Sequence, residues 1–455
     1  MSLLLLLAAA LLAEDWTRFR GPNGSGVSPD KGYPVEFGPG KNMVWRTPVR
    51  PGKSSPVLTA RHIFLTSYGD GKLYTECFDR ATGKRLWEKS VDRARTELHN
   101  RLNHPAAITP VTDGENVYSF FKDFGMVAYD SAGRERWRVP LGPFHNSMGL
   151  GASPVVSGDH VVLVADQLRD SYIAAFDRKN GEIRWKTDRE ESEGWGTPLT
   201  FAAAEPLILT VSRGQFGAYN RAGKRIATLR NLGTAVVGSP ILQGNMLYVF
   251  GYGGDTPAPF SSRTAKLDKN NDGKLTADEY GEDPFLHGIA KFSGNRDMVI
   301  TEDEWDQKQR EVGGPTALTA LRLDRNGNGI QATEVWRADK GFNGVIPTSI
   351  LVGGVLYVVK NGGILTSYDA ATGKVLKAAR LTGAISGYSS SPVSAEGRVY
   401  FGSEEGKVSV VRSAGEWEIL NVNDIGEAIY ATPALSEGTI YLRTDAALYR
   451  FGSSR

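Results

Sequence analysis

Short apolar bursts separated by Gly, Asn, Asp and Ser recur along almost the whole chain. Val161-Val162-Leu163-Val164, Met246-Leu247-Tyr248-Val249 and Val355-Leu356-Tyr357-Val358 are representative. Runs this short, rich in β-branched and aromatic residues and bounded by turn formers, predict strands rather than helices. Each follows, about ten residues later, a Ser/Thr-Pro dipeptide: Ser55-Pro56, Thr109-Pro110, Ser153-Pro154, Thr197-Pro198, Ser239-Pro240, Ser391-Pro392 and Thr432-Pro433, with Thr348-Ser349 in the equivalent place. The spacings are 54, 44, 44, 42, 109, 43 and 41 residues. They describe eight units of roughly 42 residues, one of which carries a large insertion.

The second half of each unit repeats too. Phe78-Asp79-Arg80-Ala81-Thr82-Gly83-Lys84 leads to Trp87, Tyr129-Asp130-Ser131-Ala132-Gly133-Arg134 to Trp137, and Phe176-Asp177-Arg178-Lys179-Asn180-Gly181-Glu182 to Trp185. Tyr219–Lys224 and Tyr368–Lys374 are weaker copies. An Asp that ends a strand, a Gly that accepts positive φ and a Trp on the next strand make a hairpin. Because the pattern recurs from unit to unit, these residues are read as packing and not as a site.

A four-stranded unit with this period is a propeller blade. The eighth unit ends after Ala447-Leu448-Tyr449-Arg450-Phe451, one strand short, while Met43-Val44-Trp45-Arg46 precedes the first unit with Trp45 in the repeated Trp position. The prediction is an all-β, eight-bladed β-propeller closed by the N-terminal strand, with a small α-helical EF-hand insertion in blade five. Residues 14–254 carry the blades up to the first part of blade five, 255–315 the insertion, and 316–455 the remainder.

Within the insertion, Asp268-Lys269-Asn270-Asn271-Asp272-Gly273-Lys274-Leu275-Thr276-Ala277-Asp278-Glu279 fits every position of a twelve-residue EF-hand loop. Asp268, Asn270, Asp272, the Lys274 carbonyl, Thr276 and Glu279 supply hard oxygen donors at calcium spacing. A second loop from Ser293 to Glu304 keeps Asn295, Asp297, Thr301 and Glu304, with the Val299 carbonyl in the backbone position. It has Ser293 for the first Asp and Met298 for the turn Gly, so it is expected to be paired with the first loop but weak or empty. A third lookalike at Asp324–Gly329 has Val335 where the Glu belongs and is read as a blade turn.

Alternating strand direction brings the loops entering each first strand, and the insertion, to one face. His104, His145, Asn146, Trp195, Phe342, Tyr388 and Tyr430 lie on those loops and form the candidate ligand site at the channel mouth.

Composition narrows the partners. Among 455 residues, 53 Lys+Arg balance 51 Asp+Glu, leaving no basic excess for nucleic acid. One cysteine, Cys77, excludes an internal disulfide and any Cys-based metal cluster. The apolar run Leu3–Leu12, followed by Ala13-Glu14-Asp15, is too short to span a bilayer and is expected to be a cleaved signal peptide over 1–13. It has no lipoprotein cysteine, and no integral membrane segment follows. A periplasmic or extracellular location is the expectation.

With these repeats and the opening Asp15-Trp16-Thr17-Arg18-Phe19-Arg20-Gly21-Pro22-Asn23-Gly24, the chain resembles the pyrroloquinoline-quinone-like repeat propellers of bacteria. That group includes quinoprotein dehydrogenases and the propeller lipoprotein of outer-membrane β-barrel assembly. The resemblance implies either a scaffold binding a protein, peptide or small molecule, or a quinone (PQQ)-dependent oxidoreductase. The dehydrogenases carry adjacent cysteines beside the cofactor, which one cysteine cannot make. The expected function is therefore a secreted calcium-binding scaffold rather than an enzyme, with Ca2+ and not PQQ as its cofactor.

Overall fold

The computed structural model describes residues 15–452 except 98–99, 169, 190, 192, 202–205, 234–235, 254–257, 282, 284–285, 288, 291–293, 296, 313–315, 327–328, 340–341 and 343–344. The signal-peptide reading and Ser293 fall outside the described residues.

Eight four-stranded antiparallel sheets form the ring. Blade 1 runs Val57–Leu58, His62–Gly69, Lys72–Asp79 and Arg85–Asp92 from the channel outwards, and the other blades repeat that order. The middle strands are buried on both faces because each blade is sandwiched between two others. His160–Ala165 and Tyr172–Asp177 of blade 3 are almost wholly buried, whereas its outermost strand, Ile183–Asp188, alternates exposed and half-buried positions. The apolar bursts and the weaker outer strands in the sequence follow from this difference.

Blade 8 closes as expected. Met43–Pro48 pairs antiparallel with Ala447–Phe451, from Met43 opposite Phe451 to Pro48 opposite Ala447. No blade is left with an open fourth-strand position.

The repeated Trp and Gly serve packing between blades. The Trp87, Trp137, Trp185 and Trp336 indole N–H groups donate to the carbonyls of Ser131, Arg178, Arg221 and Ala370 in the next blade, at 2.9–3.0 Å. Each indole lies flat on the turn Gly. A Cβ on Gly83, Gly133, Gly181, Gly223 or Gly373 would stand only 2.4–2.9 Å from Trp45, Trp87, Trp137, Trp185 or Trp336, and each of these glycines has φ between 70° and 79°. Glycine is demanded twice there, by conformation and by contact. Cys77 is buried in the same inter-blade packing, which pushes its thiol up to about 12.

The insertion lies between Met246–Gly251 and Ala317–Asn326, the second and third strands of blade 5. It has its own core of Phe260, Leu275, Tyr280, Leu286, Ile289, Ala290, Ile300 and Trp305, which contains no propeller residue. The third lookalike is a hairpin, with Asn326 paired to Gly329.

Residues 15–27 cross the ring on the face opposite the insertion, and 28–42 then run along blades 7 and 8 to the closing strand. The Leu58 and Thr112 amides donate to the carbonyls of Trp16 and Thr17, and Val27 pairs in parallel with Ser394. Arg18 reaches the Pro198 carbonyl. Arg20, fully buried, donates to the carbonyls of Gly24, Ser25, Thr348, Ser349 and Pro392 at 2.9–3.3 Å. Burial pushes its guanidinium down to about 9. This leader strap closes one end of the channel.

Candidate functional site

The Ser/Thr of each of the seven Ser/Thr-Pro repeats, and Thr348 in the equivalent place, stands two residues before a first strand, and the eight meet around the channel. The Ser55 amide donates to Thr109 Oγ1, Thr109 to Ser153 Oγ, Ser153 to Thr197 Oγ1 and Thr197 to Ser239 Oγ. Ser239 continues to Thr348 Oγ1, Thr348 to Ser391 Oγ, Ser391 to Thr432 Oγ1, and Thr432 returns to Ser55 Oγ. These eight bonds, 2.9–3.2 Å long, form a closed collar in which each blade caps a backbone N–H of its neighbour. A hydroxyl that accepts in this way still carries its own proton.

A cavity of about 430 Å³ fills the channel above the collar, and Phe19 of the strap reaches it from below. Extended backbone turns every second side chain inwards. The residues two before the collar therefore form a second tier: Lys53, Ala107, Gly151, Trp195, Val237, Ile346, Ser389 and Tyr430, all of which line the cavity. The collar is uniform, whereas this tier differs at every blade. Trp195, Val237 and Ile346 make an apolar arc on three consecutive blades. Across from them Lys53 Nζ lies 3.9 Å from the Tyr430 ring centroid and donates to the Arg101 carbonyl. Arg101 binds Glu404 at 3.1 Å. The cavity lining contains no Asp or Glu among the described residues.

Trp195 and Tyr430 thus lie on the cavity wall, and Trp195 is fixed there by its indole N–H donating to the Gly149 carbonyl. The other five candidates are placed elsewhere. Phe342 is buried between blades against Phe250 and stacked on Tyr368. Tyr388 is fully buried, with its hydroxyl donating to the Ala384 carbonyl. His104 packs edge-on to Tyr68 and accepts the Ala106 amide through Nδ1. The His145 amide donates to Gln167, and Asn146 is buried on the Asp166 carbonyl. Lys53, Phe19, Val237 and Ile346 were not singled out from sequence, although their place relative to the Ser/Thr-Pro repeat marks all but Phe19.

In the insertion, the Gly273 amide donates to Asp268 Oδ2, Asp272 to Asn270 Oδ1, and Lys274 to Asp272 Oδ1. The Lys269 and Thr276 amides donate to the two oxygens of Glu279, and these bonds hold its carboxyl below the usual range. The second loop keeps three of these bonds, Asp297 to Asn295, Val299 to Asp297 and Thr301 to Glu304, while the other Glu304 oxygen accepts the Asn295 amide, one position later than Lys269 in the first loop. Leu275 and Ile300 exchange two backbone bonds between the loops. Met298 takes φ 67°, a strained angle where the first loop has Gly273 at φ 75°. Asp268 Oδ1 is buried without a hydrogen-bond partner, so one hard oxygen of the first loop is desolvated and unused. Among the described residues no three His, Cys, Asp or Glu side chains are grouped as an assembled metal site.

Ring, collar and strap define a closed repeat propeller whose channel is blind at one end. The chain belongs to the family described as outer membrane protein assembly factor BamB, which matches residues 35–168, 69–280 and 169–454. The BamB of Burkholderia pseudomallei (strain K96243) is 26% identical over 172 residues, 37% of this chain. The chain thus spans only 42% of that relative's length. The crystal structure of BamB from Moraxella catarrhalis superposes with a TM-score of 0.59 at 12% identity, over 90% of this chain and 99% of that one. Quinohemoprotein alcohol dehydrogenase from Comamonas testosteroni gives 0.58 at 12% identity, over 97% and 81%. At such identities the two structures speak to the fold alone.

Proposed function

We propose that the protein is a binding scaffold of the periplasm or cell exterior, engaging a protein, peptide or small molecule at the open mouth of its channel. The observation that carries this reading is the contrast between tiers. Eight near-identical collar residues hold the ring, while eight dissimilar residues two positions away face the cavity. No helix among the described residues is long and apolar enough to cross a membrane. Met148 and Ile385, 46% and 58% exposed on loops of the mouth face, offer apolar contact at the rim. Met148→Asp combined with Ile385→Asp should abolish partner capture, while Leu86→Asp on an outer strand leaves it intact. Equal capture by both would count against the mouth.

The insertion adds calcium to this reading. The oxygen donors of the first loop suit a hard cation, and the desolvated Asp268 Oδ1 gains a partner when one binds. Isothermal titration should give about one calcium per chain, at roughly 10⁻⁴ to 10⁻⁶ M. Trp305, buried against Phe260 in the insertion core, should report binding by a change in fluorescence. Glu279→Gln should abolish both signals, whereas Glu304→Gln in the weaker loop should leave them nearly unchanged. Undiminished binding in Glu279→Gln would rule the loop out.

A further inference from the structure

We propose that the blind channel recognises a carboxylate carried on an apolar body, as in the carboxyl end of a peptide chain with an apolar last residue or a small organic acid. This rests on the reading of the mouth as the binding face and names the chemistry that face selects.

The chemistry follows from the polar inventory of the cavity. Each of the eight collar hydroxyls spends an acceptor position on a neighbouring backbone N–H, and none donates its proton to another protein group among the described residues. All eight residues are more than nine-tenths buried. The lower tier is therefore a ring of O–H donors facing the lumen and lacking acceptors. Above it Lys53, half-buried, forms no ion pair among the described residues. The acidic groups that act on it are Asp445, through space, and Glu404, which is already held by Arg101. No carboxylate lines the wall among the described residues, and Glu404, which stands behind Ser389, is taken up by that hydroxyl and by Arg101, so the lumen presents donors and a cation and has few acceptors of its own. An anion with several lone pairs complements it.

The rest of the wall sets the body of the ligand. Trp195, Val237 and Ile346 face Lys53 and Tyr430 across the cavity, so an apolar group can lie on one side while its carboxylate meets the other. About 430 Å³ has room for a side chain or two and not for a folded segment. Phe19 and the strap block passage, so a chain can enter only by its end. An end that carries a carboxylate answers both the closure and the donor ring.

The test titrates the intact protein with acetyl-Ala-Ala-Phe, with its C-terminal amide, and with 3-phenylpropionate. The free-acid tripeptide should bind at least roughly tenfold more tightly than the amide, as expected when a carboxylate meets a cation and hydroxyl donors. Lys53→Met should weaken the acid far more than the amide and so erase most of that preference, and Lys53→Arg should restore most of it. Trp195→Ala should weaken acid and amide together. Binding of 3-phenylpropionate without the tripeptide would keep the carboxylate chemistry and assign it to a small molecule. Equal binding of acid and amide, or binding of none of the three, overturns the proposal. If Lys53→Met still captures partners through the mouth in either of those cases, the scaffold reading survives and only the carboxylate falls. Circular dichroism of each variant separates lost recognition from lost folding.

Discussion

Removing Met43–Pro48 should lower the thermal midpoint by roughly 10 °C or more, whereas replacing residues 255–315 with a short turn should cost only a few degrees. The first deletion takes away the outermost strand of blade 8. Its pairing with Ala447–Phe451 is lost, and so is the Trp45 indole that lies on Gly83 of blade 1. Ala447–Phe451 becomes an open edge, and the seam between the last and first blades loses its outer packing. The second deletion removes an insertion with its own hydrophobic core and rejoins Met246–Gly251 to Ala317–Asn326, which already pair with each other. Trp45→Ala alone should cost about 2 kcal/mol, the worth of a partly buried aromatic side chain. Differential scanning calorimetry of the three proteins provides the comparison. Equal losses in the two deletions would show that the closing strand does not hold the ring.

Arg20 is the second position where one change should matter greatly. Its fork satisfies carbonyls from the strap itself and from the starts of blades 6 and 7, with no water access. Arg20→Met would fill similar space but leave those buried acceptors unpaired, at an expected cost of about 3–5 kcal/mol. Arg20→Lys should recover little, because a single ammonium cannot match five donors in a planar fork. Chemical denaturation should order the proteins wild type, Lys, Met, with Lys close to Met. A Met variant as stable as wild type would mean that the strap is held by its backbone pairing alone. Because the strap brings Phe19 to the cavity, its loosening should also weaken ligand binding.

The architecture was legible because every blade solves the same packing problem with the same residues. The Ser/Thr-Pro period, the Asp-to-Gly turns and the Trp positions located the blades, and the unpaired eighth unit pointed to Trp45. The carbonyl contacts of the strap were not legible, since Arg20 meets Thr348 and Pro392 only after the ring has closed. The channel candidates reach the lumen only where parity favours it. Trp195 and Tyr430 stand two residues before Thr197 and Thr432 and face the lumen. Tyr388 stands three before Ser391 and turns away, while Phe342 is far enough upstream to fall between blades. Aromatic residues on a loop carry no direction of their own. Counting back from the repeated Ser/Thr supplies it, and would also have picked out Lys53.

The claim that the open channel mouth is the binding face is tested most directly by site-specific photo-crosslinking. A crosslinking amino acid is placed singly at Met148 or Ile385 on the mouth, and at Lys179 or Lys374 on exposed turns of the opposite face. Irradiation in the native cell envelope, followed by mass spectrometry, should give the same adduct from both mouth positions and none from the other two. Adducts from Lys179 and Lys374 with none from the mouth would contradict the account.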